Sequence, residues 1–523
     1  MRKRQKAIFW GILLAAVAIR LAGFGAIPAG INQDEAMAAV DAWALSKYGT
    51  DRFGMFLPAH FEAWGYGQMS VLLSYCMIPF LKVLGFGTVA VRLPQLLASC
   101  GSMILMYLVG RKLFSERFAL LVMGLVAINP WHFMQSRWSL DCNLFPHVFL
   151  LAFYLLLLGL EKRLYLYLSM ICFGLTFYCY GIAVYAVIPF LVVYAAWCIW
   201  KKQLRVWEVL CCVLVFSVVA LPEILVMAVN FFGWHTIETP FFTAGYFPDS
   251  VRSNDILFLH FSFGQLWRNF LAMTRTCLIQ TPDQIYNALP AFGPMYHISI
   301  PFMVLGTVLY TKSLFTEKDM AVKTRKLALW GFLLTGIWVG LVTYEVNVNR
   351  INIIFFPLLF MCGYGIWVIA RGFKRIGIGI ISAYLLCFGL FLGSYFTDFA
   401  REIQTCFNVN FLEAVQEADS LEEYERLYIT AHMDWQYNVK MSEILTQYAC
   451  EIDPGYYQEK TNITGGRKLL PYTQRYHYID LNYPTETDPE GLYLIHESEL
   501  GKLSFSYEIV KKLGRYVLLT IGQ

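Results

Sequence analysis

The chain has 523 residues, of which 58% are apolar, 17% aromatic and 15% charged, with a formal net charge of +4. So apolar a composition excludes an ordinary soluble enzyme, and so small a net charge excludes a nucleic-acid partner. The apolar residues fall in blocks of roughly twenty, enough at ~1.5 Å per residue to cross a ~30 Å hydrocarbon core. The chain reads as a polytopic α-helical membrane protein.

Met1-Arg-Lys-Arg-Gln-Lys6 precedes an apolar run from Ala7 to Ile27. The run is too long for the apolar core of a secretory signal, and no small-residue cleavage site stands ahead of Asp34. It reads as an uncleaved first span with a cytoplasmic N-terminus. Further spans are predicted near 88–112, 117–136, 143–160, 164–180, 182–200, 206–229, 297–313, 327–345, 351–370 and 376–396, eleven in all. This threading puts every strongly basic short loop on one side, as the positive-inside bias requires. Those loops hold Arg111-Lys112 with Arg117, Lys162-Arg163, Lys201-Lys202 with Arg205, Lys312 to Lys326, and Arg371 to Arg375. Gln68 to Leu84 is apolar enough to span, but counting it reverses the next several loops. It reads instead as a helix lying along the outer face.

Residues 1–396 then form a membrane domain with outer loops at 28–87 and 230–296 and a short outer turn near Arg137 to Asn143. A cysteine placed at position 255 is expected to react from outside. Beyond Phe396 charged residues become frequent and long apolar runs stop. Residues 397–523 are long enough for a small extracytoplasmic domain. Asn410 to Glu423 and Asn438 to Cys450 read as helices. Arg426 to Thr430, Tyr476 to Leu481, Leu492 to His496 and Tyr507 to Ile521 read as β-rich runs, so the tail is predicted to be α/β. Most of the thirteen cysteines lie in apolar runs. Cys406 and Cys450, in the polar tail, are the pair left open for a disulfide.

The residues that point to chemistry stand at the outer ends of spans. Asp34-Glu35, in Ile31-Asn-Gln-Asp-Glu-Ala36, follows the first span. Acids in a helix's first turn gain ~0.3–1 kcal/mol from its dipole, so capping alone explains them. The same placement suits a general base that takes a proton from an attacking hydroxyl, with Glu35 orienting Asp34 or sharing a cation. Glu62 lies in the aromatic stretch His60-Phe-Glu-Ala-Trp-Gly-Tyr66, where a plain surface loop is the bland reading. Asp141 follows Gln135-Ser-Arg-Trp-Ser-Leu140, where it reads either as a helix cap neutralised by Arg137 or as a site acid. Arg350, in Asn347-Val-Asn-Arg350, puts a cation on the side where positive charge is disfavoured. An ion pair with Glu345 explains it, and so does a phosphodiester matching the guanidinium fork. Acids for a nucleophile together with a base for a phosphate fit sugar transfer from a polyprenyl phosphate. A transporter or flippase for lipid-linked sugars is the second class, and a catalytically inactive relative the third. A transporter needs ionisable groups within its spans and usually internal repeats, whereas the clear acids here lie at outer ends.

Several blocks, in order, resemble the polyprenyl-phosphate-dependent C-type glycosyltransferases of the protein O-mannosyltransferase and lipid A aminoarabinose transferase kind. They are Asp34-Glu35, Phe61-Glu62 with Gly65-Tyr66, Phe86 through Arg92-Leu-Pro94, Asn129-Pro130 with Ser136-Arg137 and Asp141, and Tyr178-Cys-Tyr-Gly181 with Tyr185 and Pro189. Leu289-Pro-Ala-Phe-Gly293 and Asn349-Arg350 through Pro357 complete the set. The resemblance covers about residues 5–395. It implies Asp34 as catalytic base, and Glu62 or Asp141 holding acceptor, donor phosphate or a divalent cation such as Mg or Mn. It further implies Arg350 on the donor phosphate and displacement with inversion at the anomeric carbon. The acceptor would be a secreted protein, a cell-wall polymer or a glycolipid. Some relatives carry Lys directly after the acid near position 62, whereas here Ala63 follows. That shifts phosphate neutralisation onto Arg350, with Arg137 and Arg92 as further candidates.

Overall fold

The computed structural model describes residues 3–64, 67–248, 262–281, 283–464, 467–484 and 487–522. Gly65, Tyr66 and the probe position 255 lie outside the described residues. The helices are α1 (Lys3–Leu21), α2 (Gln33–Tyr48), α3 (Leu72–Leu84), α4 (Thr88–Leu113), α5 (Glu116–Ala127), α6 (Pro130–Gln135), α7 (Asp141–Gly159), α8 (Arg163–Leu175), α9 (Ala183–Trp200), α10 (Val206–Phe232), α11 (Phe263–Thr274), α12 (Ile300–Thr316), α13 (Met320–Val342), α14 (Phe355–Gly372), α15 (Lys374–Ser394), α16 (Ala400–Cys406), α17 (Val409–Ser420) and α18 (Val439–Ala449). Short hairpins pair β1 (His60–Glu62) with β2 (Gln68–Ser70), β3 (Ile237–Glu238) with β4 (Thr243–Ala244), and β6 (Ile463–Thr464) with β7 (Arg467–Lys468).

Among the described residues, eight helical runs are long and apolar enough to cross a membrane, those containing α4, α7, α9, α10, α12, α13, α14 and α15. The other three expected spans differ for local reasons. In α1 the basic start and Arg20 leave only a short uncharged stretch. The expected 117–136 span divides into α5 and α6, because a residue before proline avoids the helical region. Asn129 instead caps α6, its side chain accepting from the His132 N–H at 3.0 Å, with Pro130 as the first helical residue. The 164–180 span stops early, α8 tightening into a single 3₁₀ turn at Thr176–Tyr178. Gln68 to Leu84, expected as one helix, opens as strand β2 before α3 begins.

Two compact units emerge. The first comprises the described residues of Met1–Phe24, Pro94–Ala228 and Val251–Phe399. Here α12 and α14 touch backbone to backbone. A Cβ at Gly306 would overlap the Met361 carbonyl, and one at Gly365 would overlap that of Phe302. Close approach through small residues is how helices associate where lipid removes the hydrophobic drive. Aromatic rings fill the rest, with Phe149 4.6 Å from Phe332 and Phe118 5.0 Å from Phe360 between centroids.

The second unit comprises the described residues of Gly25–Leu93, Val229–Ser250 and Ala400–Gln523. The tail thus shares its unit with the 25–93 segment rather than standing alone. Its five-stranded sheet has the order β10-β11-β9-β5-β8, from β5 (Leu427–Thr430), β8 (Tyr476–Ile479), β9 (Leu492–His496), β10 (Tyr507–Leu513) and β11 (Tyr516–Ile521). β5 runs parallel to both neighbours, while β11 pairs antiparallel with β9 and β10. β5 and β9 are buried along their whole length, which is why both read as continuous apolar runs. Helices α17 and α18 pack together and against the sheet, as the α/β reading anticipates. Cys406 and Cys450 are both free thiols, so the disulfide left open by the sequence does not form. The Cys450 thiol donates to the Val415 carbonyl instead.

Candidate functional site

The acidic pair sits in the first turn of α2, and the second unit fixes that turn from several directions. Asn32 caps the helix, its side chain accepting from the Asp34 N–H at 3.0 Å. Ile31 donates to the Phe407 carbonyl at 2.8 Å, and the Asn408 amide returns a bond to the Ile31 carbonyl at 3.1 Å. Gly30 lets the chain pass so close to Phe407: its φ is +76°, and any Cβ would overlap the Phe407 carbonyl. Arg92 completes the frame. It donates to both oxygens of Glu35, at 2.8 and 2.9 Å, and to the carbonyls of Pro28 and Gly30, at 2.8 and 2.9 Å. Both side chains of this ion pair are 0% exposed.

Asp34 is treated differently. Asn32, Gln33, Glu35 and Ala36 are buried, whereas Asp34 is only half-buried. The Trp64 indole N–H donates to its Oδ1 at 2.6 Å. Trp64 follows Glu62 by two residues, so one short strand end positions both features. Strand β1 is itself tied down by Arg52, which donates to the Glu62 carbonyl at 2.5 Å and pairs with buried Asp41 at 2.5 Å. Burial pushes the Asp41 carboxyl above its ordinary range, with Arg52 opposing. Burial, then the Asp41 charge, push Asp51 up to about 7. The Glu62 side chain is half-exposed, and Lys440 of α18 reaches to 3.9 Å from its Oε1.

The first unit holds the other predicted residues. Arg137 is fully buried and caps the end of α1, donating to the carbonyls of Arg20, Ala22 and Gly23 at 2.5, 2.8 and 2.9 Å. Its guanidinium also lies between the rings of Phe133, Tyr395 and Phe396. Asp141 is buried at the start of α7, accepting from the Cys142 N–H at 2.6 Å. Arg350 is half-buried and meets Glu345 through the Glu345 backbone carbonyl at 3.1 Å. Its own N–H donates to Asn347 at 2.8 Å. The residues just before Arg350 line a polar pocket of about 380 Å³ with Asn269, Asp283, Tyr286, Asn287 and Tyr344. Buried amide oxygens of Asn287 and Asn349 have no hydrogen-bond partner among the described residues. Such a pocket suits a ligand rich in hydroxyl donors.

The structure therefore gathers Asp34, Glu35, Glu62 and Arg92 in one unit, and Arg137, Asp141 and Arg350 in the other. Sequence reading missed Trp64, the Asp41–Arg52 pair, Lys440 and the amides around Asn287. Trp64 stood within a quoted motif, but nothing local signals which acid its indole meets. Among the described residues, no group of three or more His, Cys, Asp or Glu side chains is arranged to hold a metal ion.

Residues 69–225 match the family model described as dolichyl-phosphate-mannose-protein mannosyltransferase. No curated protein matches the chain by sequence. Among solved structures, the chain is similar to ArnT from Cupriavidus metallidurans bound to undecaprenyl phosphate, with TM-score 0.59, 10% identity and 97% of each chain covered. It is similar to the apo state of that protein at TM-score 0.58 and 12% identity, over 98% of each chain. It also resembles the apo oligosaccharyltransferase of Archaeoglobus fulgidus, at TM-score 0.51 and 11% identity, over 86% of this chain and 64% of that one. At these identities the likeness establishes the fold, a polytopic helical membrane protein with a small α/β tail. Family match and fold together bear out the resemblance to polyprenyl-phosphate-dependent C-type glycosyltransferases.

Proposed function

We propose that this chain moves one sugar from a polyprenyl-phosphate donor to an extracytoplasmic acceptor, with inversion, using Asp34 as general base. The supporting observation is the contrast within one helical turn. Glu35 is spent on a buried ion pair, while Asp34 is held half-buried by the Trp64 indole. A helix cap needs no such orientation, whereas a base must be fixed within reach of the proton it removes. The match to a mannosyltransferase family model and the undecaprenyl phosphate bound by the ArnT relative support the donor class.

In the reaction, the acceptor hydroxyl oxygen attacks the anomeric carbon as its proton passes to Asp34. The bond from that carbon to the phosphate oxygen breaks, and its electron pair leaves with the polyprenyl phosphate. Arg350 bears on that phosphate, where a forked cation stabilises the growing charge. The adjoining amide pocket takes sugar hydroxyls. Glu62 and Asp141 hold substrate groups. Arg92 and Arg137, which the sequence offered as phosphate ligands, are given a positioning role because their donors meet backbone carbonyls and, for Arg92, Glu35. No step is assigned to a divalent cation. The side chosen for the acids follows the basic loops, which put the N-terminus in the cytoplasm and the tail outside.

The test is donor turnover in nanodiscs, using a panel of radiolabelled polyprenyl-phosphate sugars with envelope acceptors, for wild type and Asp34→Asn. Transfer that vanishes in the variant supports the reading. Equal transfer reduces Asp34 to a cap, and wild-type protein that moves no donor favours a transporter or an inactive relative.

A further inference from the structure

A second charged feature of the first unit plays no part in that chemistry. α1, α5, α14 and α15 enclose a cavity of about 1120 Å³, above the ~300–1,000 Å³ typical of small-ligand sites. It extends along α1 from Arg4 to Ile19, about 22 Å at the helical rise. Its walls are apolar except at one end, where Arg4, Arg117 and Lys374 converge with Gln5. Each cation stands in the first turn of its helix, so three positive helix ends face the same way.

Four cations of the basic loops have carboxylates. Lys112 and Arg325 share Glu161 at 2.6 and 2.7 Å, Arg163 meets Glu208 at 2.6 Å, and Lys326 meets Glu317 at 2.8 Å. Arg4, Arg117 and Lys374 are exposed and have no ion-pair partner among the described residues. Glu116, next to Arg117 in the chain, does not line the cavity. The floor is broad because it is built from small residues. A Cβ on Gly11 would meet nothing within 4 Å, and one on Gly124 would meet only Ile12, at 3.9 Å. Arg350 precedes α14 and Lys374 follows it. The 18 residues of α14 separate the two by about 27 Å, close to a membrane thickness.

We propose that this groove is a binding site for an anionic glycerophospholipid. Arg4, Arg117 and Lys374 hold the headgroup phosphate, and the acyl chains lie along α1, α5 and α15. Unpaired cations at one end of an apolar groove are complementary to a phosphate-headed lipid, and basic pockets between spanning helices are known to take such headgroups. The breadth over Gly11 and Gly124 suits two acyl chains better than a single polyprenyl chain. The site is independent of the donor phosphate assigned to Arg350.

The experiment is native mass spectrometry of the full chain released from detergent, titrated separately with phosphatidylglycerol, phosphatidylcholine and undecaprenyl phosphate. Wild type is expected to retain one phosphatidylglycerol, with phosphatidylcholine about tenfold weaker, the loss of roughly one charge-assisted contact. The triple variant Arg4→Gln, Arg117→Gln, Lys374→Gln is expected to lose phosphatidylglycerol by about tenfold or more. Gly11→Leu, which fills the groove and leaves every cation in place, is expected to do the same. Equal retention of the two phospholipids overturns the site, as does wild-type retention by the folded variants. Should the triple variant fail to fold, Gly11→Leu and the lipid pair still decide. Undecaprenyl phosphate displacing phosphatidylglycerol at lower concentration overturns the phospholipid and makes the groove a polyprenyl site.

Discussion

Around α2, charge is closed on itself: Glu35 against Arg92 and Asp41 against Arg52, all four side chains buried. Ahead of α14, a cation stands only half-buried. Arg350 is half-buried, touches backbone rather than a carboxylate of Glu345, and adjoins a pocket with unpartnered amide oxygens. A buried ion pair removes two groups from water at a cost of several kcal/mol each, and it serves to hold backbone in one place. A half-buried cation beside a polar pocket stays partly open to solvent and within reach of a ligand that enters the pocket. By this comparison Asp34 belongs with Arg350, although it is adjacent in sequence to Glu35.

The strongest test of that grouping is the pair of variants at the two neighbouring acids. Asp34→Asn keeps the acceptor for Trp64, so transfer should fall by about 10²–10⁴-fold while the melting temperature hardly moves. Glu35→Gln should do the opposite. It strands the buried Arg92 charge, so a stability loss of about 3–5 kcal/mol is expected, read as a lower melting temperature and lower folded yield. If Glu35→Gln folds like wild type but abolishes transfer, the two acids have been assigned the wrong way round.

Arg350→Leu sharpens the other side of the comparison. Losing a charge-assisted contact of about 1.5–3 kcal/mol should weaken donor binding about tenfold to a hundredfold and leave acceptor binding unchanged. Unaltered donor affinity would remove Arg350 from the site. A smaller effect belongs to Asp51, whose carboxyl is pushed up to about 7 by burial and then by Asp41. A folded value above the unfolded one means the native state holds its proton more tightly. Stability from this group is therefore present at low pH and is lost as pH rises toward about 7. Asp51→Asn should raise the melting temperature by about 2–4 °C at pH 8 and by less at pH 5, because the amide has no charge to bury while its oxygen still accepts from Phe53 and Met55. A difference between the two proteins that does not change with pH would assign the effect to packing.

Much of the fold is legible wherever a segment's partners lie close by in sequence. The tail's elements fall within a few residues of their expected positions because β9 is apolar throughout and α17 and α18 carry a helical period. Eight spans announce themselves by length, whereas the break at Asn129-Pro130 escaped the reading of 117–136 as one span, although both residues stand in a motif used for the family resemblance. The site is less legible because its partners are remote. The turn that carries Asp34 is held by Asn408, 377 residues from Ile31, and by Arg92, 57 residues from Glu35. Sequence shows that Arg92 and Arg137 are charged. It does not show that each faces backbone carbonyls, Arg137 at the end of α1 and Arg92 in the loop before α2, which is what turns a phosphate candidate into a brace.

The smallest effect concerns the missing lysine after Glu62. Ala63 is buried, so a lysine there would have to push its charge inward. A cation nonetheless stands near Glu62, supplied by α18, which packs on α2. Lys440 lies 3.9 Å from the Glu62 carboxylate with 52% of its side chain exposed. An exposed pair of this kind contributes about 0.2–1 kcal/mol, so Lys440→Gln should barely change the melting temperature. If the lysine also bears on the donor phosphate, the same substitution should raise the donor KM by up to about fivefold, in proportion to that energy, with kcat unchanged. Adding Glu62→Gln separates the two roles. A lysine that serves only Glu62 loses its effect once the carboxylate is gone, whereas one that serves the phosphate keeps it. Comparing donor KM across the four proteins of that cycle measures how far the tail has taken over a charge that some relatives place beside the acid itself.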